Sequence, residues 1–318
     1  MTEPRSDDDL DRALTQGLHT EPLSEAAMAR LRTVALQEWR QNSQPRARGS
    51  RSSLWLAVAA AALICIVLGA TWLRQHGTPK EVFGVVARAD PGEGEIGSGR
   101  TLHAGDLLTT HGPVLITLST GGTLRVAPGT VLKLTSASEA ALSRGRIYLD
   151  FPAAPVSRPF DISTRLGTLE HVGTEYEVLS NDQVVRIRVR EGRVRLRHDS
   201  TQTVLDAGTQ LLADSAGHMT RGSIEPYGRD WLWVAALAPD YEIEGRPLLD
   251  FLQWAARELG RSVKFSDSHA REVAQRTILH GSVKGRDPMD ALSTVLSTTT
   301  LTYEIREDTI WIQSGQGT

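Results

Sequence analysis

From about Glu81 to His218 the chain reads as short apolar and β-branched runs split by glycine, as in VLITLSTGGTLRVAPGTVLKL and RVREGRVRLRHDSTQTVLDAGTQLLADSAG. Closely spaced runs with Gly, Pro and Asn/Asp turns predict an all-β domain over residues 80–220, a sandwich or β-roll. The clearest stretch is 174–197. Val185, Ile187, Val189, Val194 and Leu196 fall on one face, and Arg186, Arg188, Arg190, Arg193, Arg195 and Arg197 on the other. A turn at Ser180–Gln183 pairs Glu177 with Arg186 and Glu175 with Arg188, and a turn at Glu191–Gly192 sets Arg188 beside Arg195. Like charges on neighbouring strands repel. The excess therefore meets either an acidic strand or an anionic partner, with Arg193, Arg195 and Arg197 the candidate face for the latter.

Beyond a linker at 221–238 the pattern changes again. Residues 239–315 predict a small α+β domain with two βαβ-like halves: strands at Tyr241–Glu244 and Val263–Phe265 around a helix Pro247–Leu259, then a strand Thr277–Val283, a helix Pro288–Ser297, and a hairpin of Leu301–Ile305 with Thr309–Ile312. Leu248, Leu249, Leu252, Ala255, Ala256 and Leu259 make the first helix's apolar stripe. Asp287 is placed to cap the second, with Pro288 at its first position.

At the other end, residues 54–73 (LWLAVAAAALICIVLGATWL) run twenty positions without a charge between Arg51 and Arg74. That length crosses a hydrocarbon core of about 30 Å at about 1.5 Å per residue, and Trp55 and Trp72 sit where interfacial rings belong. One transmembrane helix is expected. Four arginines in the twenty residues before it, against three Lys/Arg in the twenty after, lean towards an N-terminus inside. The tail, residues 1–53, predicts two short helices and a polar linker. The second, from Ser24 to about Gln41, repeats Leu31, Val34, Ala35 and Trp39 at helical spacing, an amphipathic face able to order in a partner's groove.

Composition removes most chemistry. With 40% apolar and 23% charged residues in 318, the chain is an ordinary globular one, and a net charge of −3 selects no partner and gives no sign of direct nucleic-acid binding. The lone Cys65 permits no internal disulfide and no cysteine-based zinc site. Gly92, Gly94 and Gly97 match GxGxxG, but SGRTLHAGD follows where a dinucleotide site needs a helix. His171, with Glu170 and Glu175 nearby, lacks a third ligand and reads as a surface histidine. No nucleophile, general base, metal or cofactor site is nominated, so no enzyme is expected.

Three linked segments resemble the FecR family of transmembrane anti-sigma regulators: His171-Val-Gly-Thr-Glu-Tyr-Glu-Val178, Val185-Arg-Ile-Arg-Val-Arg-Glu-Gly-Arg-Val-Arg-Leu196 and Leu205-Asp-Ala-Gly-Thr-Gln210. Gly173, Thr174, Tyr176, Gly192 and Gly208 carry the likeness as structural residues. Residues 239–315, with Ile243-Glu-Gly-Arg-Pro-Leu248 and His280-Gly-Ser-Val283, are similar to the short N-terminal domain of secretins and TonB-dependent receptors. The resemblance implies a single-pass protein of the bacterial inner membrane, in contact with its lipid, N-terminus cytoplasmic and C-terminal region periplasmic. It implies a signalling domain of a TonB-dependent outer-membrane receptor as periplasmic partner, in systems such as iron uptake, and an extracytoplasmic-function sigma factor held by the tail, with Leu31, Val34 and Trp39 as anchors. Residues 1–53 depart from the family's longer N-terminal module, since Trp39 lies outside its AxxW pattern. The alternative is a membrane-anchored periplasmic binding or scaffold module that regulates no sigma factor.

Overall fold

The structure, a computed structural model, describes residues 80–90, 96–151 and 160–315. The tail with Leu31, Val34 and Trp39, and the apolar segment 54–73, lie outside the described residues. Among those described, no helix is long and apolar enough to cross a membrane.

Thirteen strands form one hydrogen-bonded sheet: β1 (Val82–Ala89), β2 (Thr101–His103), β3 (Leu107–Thr109), β4 (Val114–Leu118), β5 (Thr123–Val126), β6 (Val131–Ser136), β7 (Glu139–Asp150), β8 (Asp161–Thr164), β9 (Gly167–Ser180), β10 (Val184–His198), β11 (Thr201–Asp206), β12 (Thr209–Asp214) and β13 (Met219–Ser223). The all-β expectation holds. Buried residues from Phe83 on β1 to Ala213 on β12 belong to a single core. A sheet whose strands all point into one core must roll over on itself, which suits the alternation of buried and exposed positions along each strand.

The roll is made by three long strands that change neighbours halfway. The first half of β7 lies between β6 and β8, and its second half between β5 and β9. β10 follows β9 throughout, but its other edge takes β12 up to Val189 and β11 from Arg193. The switch is the expected turn at Glu191–Gly192, corrected: β10 passes straight through it as a bulge, with the register shifting on both sides of Glu191. The buried positions require this, because Val185, Ile187 and Val189 are odd and Val194 and Leu196 even, so one extra residue must sit between the two sets. Arg188 is therefore not beside Arg195. The β9–β10 turn lies where expected, but its register differs by two, with Arg188 opposite Glu177 and Glu191 opposite Glu175.

The family-signature residues gather at this bulge. Gly192 has φ 74°, and a Cβ there would run into the Gly173 carbonyl and the Thr174 methyl. Its own carbonyl accepts from Ala207 N (3.0 Å), while Gly208 N donates to Val189 O (2.9 Å), which locks the β11–β12 turn onto the kink. Tyr176, fully buried, is opposite Val189 and Leu149.

The C-terminal unit contains α2 (Leu248–Leu259), β14 (Ser262–Phe265), α3 (Ser268–Arg276), α4 (Pro288–Leu296), β15 (Leu301–Arg306) and β16 (Thr309–Ser314), preceded by a short α1 (Leu232–Ala236). Its sheet runs β14-β16-β15, parallel then antiparallel. Asp287 caps α4 by accepting from Met289 N (2.9 Å) and Asp290 N (3.0 Å), as expected. Two expectations fail. Tyr241–Glu244 and Thr277–Val283 are not strands, so the two βαβ-like halves are incomplete. The segments do run side by side, through Leu248 N to Thr277 O and Leu279 N to Arg246 O (both 2.8 Å). Pro247 lacks an N–H and Gly245 turns the chain, which leaves a single bridge, Pro247 with Ile278. Helix α3 was not foreseen, because it buries only Ala270 and Ala274, side chains too small to leave an apolar stripe.

Replacing Gly192 with Ala should cost about 2 kcal/mol or more, left-handed strain plus the clash, whereas Gly129→Ala, at φ 73° in open space, should cost about 1 kcal/mol. Urea midpoints of the full chain in detergent decide it, and equal costs would remove the bulge from its structural role.

Candidate functional site

Outside the core, the other face of β5, β7, β9 and β10 carries charge in register. Arg125, Tyr148, Glu177 and Arg188 stand opposite one another across four adjacent strands. In the next row are Asp150, Glu175 and Glu191. Such a face should be wet, yet Arg125 is 1% exposed and Glu177 0%. The cover is the segment expected to be a linker. After β13, Arg229–Trp231 makes a short 3₁₀ turn that runs into α1, and the last turn of α2 closes the remaining side.

Each buried charge has a partner. Glu177 takes a two-pronged contact from Arg188 (3.0 and 2.9 Å), a bond from Arg186 (3.1 Å) and the indole N–H of Trp233 (3.1 Å). Arg188 also reaches Asp230 (2.6 Å), and its guanidinium lies 4.5 Å from the Trp231 ring centre, with Arg190 at 5.2 Å. Arg146 sits 4.4 Å over Trp233. Its proton is held less tightly than usual, chiefly through burial, although Glu177 opposes this.

A second group joins the β domain to α2. Arg125 donates to the Val234 carbonyl and to Glu258 (both 2.7 Å), with Asp150 at 3.4 Å. Arg257 grips Asp150 (2.7 and 3.0 Å) and lies 2.7 Å from Glu175. Tyr148 donates to Glu175 (2.6 Å), and Arg190 donates to the Pro226 carbonyl (2.6 Å) and the Glu258 carbonyl (3.1 Å). Three carboxylates, Asp150, Glu175 and Glu258, thus meet three guanidiniums, Arg125, Arg190 and Arg257. Gly260, the left-handed C-cap of α2, fits here because a Cβ would collide with the Pro226 carbonyl and the Arg190 guanidinium. Taking an ion out of water costs several kcal/mol, and removing one partner of such a pair costs about 3–5 kcal/mol. The junction therefore fixes one orientation of α2 on the β domain more than it adds net stability.

Arg193, Arg195 and Arg197 lie beyond the bulge and outside this junction. Arg193 pairs with Asp206 (2.8 Å), and Arg195 and Arg197 share Glu170 (3.2 and 2.9 Å). The His171 expectation is corrected: the ring is 4% exposed, accepts from Phe160 N (3.1 Å) and stacks on Phe151 with ring centres 3.9 Å apart. No cluster of metal-ligating residues occurs among the described residues. Of the GxGxxG glycines, Gly97 faces open space, and Gly92 and Gly94 lie outside the described residues. Sequence reasoning missed the tryptophan cover. Its signal was Trp231 and Trp233 in a stretch otherwise read as a linker.

The fold and junction define a two-part module, a rolled β domain locked by buried ions to a small α+β unit. Residues 106–195 match the family model described as FecR protein, so the rolled β domain holds a FecR domain. Two crystal structures of a provisionally assigned anti-sigma factor from Parabacteroides distasonis, at 2.50 and 1.65 Å resolution, resemble it at 16% identity. Each alignment covers 66% of this chain and 98% of that one at a TM-score of 0.34, a likeness too slight to bear on function. No curated protein matches the sequence.

Two buried groups titrate in opposite senses. Burial, then the Asp150 carboxylate, pushes Glu175 from 4.5 to about 7. The folded chain therefore holds an extra proton in that window, and its stability declines as pH rises through it. Burial lowers His171 from 6.5 to about 4, so its contribution is lost as pH falls through that range. The slopes, up to about 1.4 kcal/mol per pH unit each, offset one another in the wild-type chain. Relative to it, Glu175→Gln should make stability rise with pH between 5 and 6.5, and His171→Gln should make it fall. Denaturation curves across that range test both, and variants that parallel the wild type would contradict the assignment.

Proposed function

We propose that this chain is a single-pass signal transducer of the bacterial inner membrane that regulates an extracytoplasmic-function sigma factor. The FecR match over residues 106–195 carries the reading. The uncharged twenty-residue stretch at 54–73 supports it, because it puts a membrane segment between that domain and an amphipathic tail. On this reading residues 80–315 lie in the periplasm, where the β domain and a C-terminal unit of the secretin and TonB short N-terminal type receive the signalling domain of a TonB-dependent receptor. Residues 1–53 hold the sigma factor through Leu31, Val34 and Trp39. The chain's own residues bind and transmit, and none is assigned a catalytic step.

The transmission logic follows from the junction. A partner that binds the β domain and the α+β unit together reads a fixed relative orientation. One that separates them must expose five buried ionisable groups, Arg125, Asp150, Glu175, Arg190 and Glu258, and strip them of half-exposed Arg257, so a binding event is converted into a discrete change rather than a graded one.

Full-length protein in detergent should capture a sigma factor from lysate, identified by mass spectrometry, and Leu31→Asp with Trp39→Ala should reduce capture at least tenfold. Capture that the double variant retains, or none at all, would contradict the tail's role.

A further inference from the structure

The three-stranded sheet of the C-terminal unit leaves an edge open. β14 pairs only with β16, in parallel register. Ser262 N donates to Asp308 O (2.7 Å) and Ser266 N to Ile312 O (2.9 Å), both towards β16. In a parallel pair alternate residues bond to opposite sides, so the N–H and C=O groups of Val263 and Phe265 point away from the sheet. Among the described residues nothing takes those bonds. An edge so exposed is usually shielded, and Lys264 is the kind of residue that shields it from indiscriminate pairing.

Two grooves flank this edge, one of about 440 Å³ and one of about 560 Å³, and both include Val263, Phe265 and Arg271. The charge along them is one-sided. Arg261, with Nη1 buried and unbonded, stacks on Tyr227, and Arg271 lies 5.8 Å from the Phe265 ring centre. Neither has an ion-pair partner among the described residues. The acids bordering the grooves are engaged: Glu175 and Glu191 by Arg257, at 2.7 and 3.9 Å, and Asp267 by the Ala270 amide at the N-cap of α3.

We infer that β14 is a docking edge for an extended acidic peptide segment of another protein, which adds a strand beside Val263–Phe265 and places its carboxylates against Arg261 and Arg271. Strand addition gives affinity through main-chain bonds and selectivity through alternate side chains. A second copy of this chain is the less favourable occupant, because pairing β14 with itself brings Lys264 and Arg271 towards their own counterparts. The inference goes beyond the signalling reading and stands without it, since nothing in it depends on residues 1–53.

The test is selection of random dodecapeptides displayed on phage against the full chain in detergent micelles. The expected winners alternate apolar or β-branched residues with Asp or Glu. Val263→Pro removes an amide that the fold does not use, and Arg271→Glu changes an exposed helix position. Each should weaken the selected peptides at least tenfold at unchanged melting temperature. If Val263→Pro alters melting, Arg271→Glu alone decides. Failure to enrich any peptide, enrichment of peptides without acids, or binding that survives both substitutions would overturn the proposal. So would a dimer on sizing that Val263→Pro abolishes, because the edge would then belong to a second copy.

Discussion

Burial of the Arg125 guanidinium is the constraint on which the described structure turns. It sits on β5 of the rolled sheet, yet two of its partners, the Val234 carbonyl and Glu258, belong to the cover and to α2. Burial alone would loosen its proton. The opposing pull of Glu258 first, then of Tyr148 and Asp150, wins, and the proton is held more tightly than in water. A charge so placed tolerates only one arrangement of its neighbours. Leaving Glu258 or Asp150 unmatched in the same dry space costs more than most single packing contacts contribute.

The bulge at Gly192 and the ion junction are two outcomes of one strand. Through Arg190, β10 turns its arginines towards the tryptophan cover, where Arg188 and Arg190 stack on Trp231 and Arg186 and Arg188 pair with Glu177. Beyond the bulge, the same alternation turns Arg193, Arg195 and Arg197 towards Glu170 and Asp206 near solvent. Without the extra residue, the second half of the strand would present arginines to the core and Val194 and Leu196 to water. The signature glycines therefore decide which half of the arginine row builds the junction.

Much of this was legible in the sequence. The all-β texture of residues 80–220, helices α2 and α4, the β9–β10 turn and the closing hairpin follow from period-two and helical patterns together with local capping chemistry. The bulge was also legible, because Val189 and Val194 differ in parity, but a Glu-Gly pair between two β runs resembles a hairpin turn when read locally. Helix α3 left no stripe, since only two small alanines and a half-buried Val273 face the core. The junction was hidden for a deeper reason. Asp150, Glu175 and Glu258 come together from positions as much as 108 apart in the chain, and no spacing rule pairs Arg125 with a glutamate 133 residues away. A buried arginine looks like an exposed one until its cover is known.

The most direct measurement is a double-mutant cycle on Arg125→Met and Glu258→Met, read by urea denaturation of the full chain in detergent. If the junction is the constraint described, each single substitution strands a buried charge and costs about 3–5 kcal/mol, while the pair costs far less than the sum, giving a coupling of about 2 kcal/mol or more. Additive single costs, with coupling within about 0.5 kcal/mol of zero, would show that Arg125 and Glu258 do not depend on each other and that the two units are held together by something else.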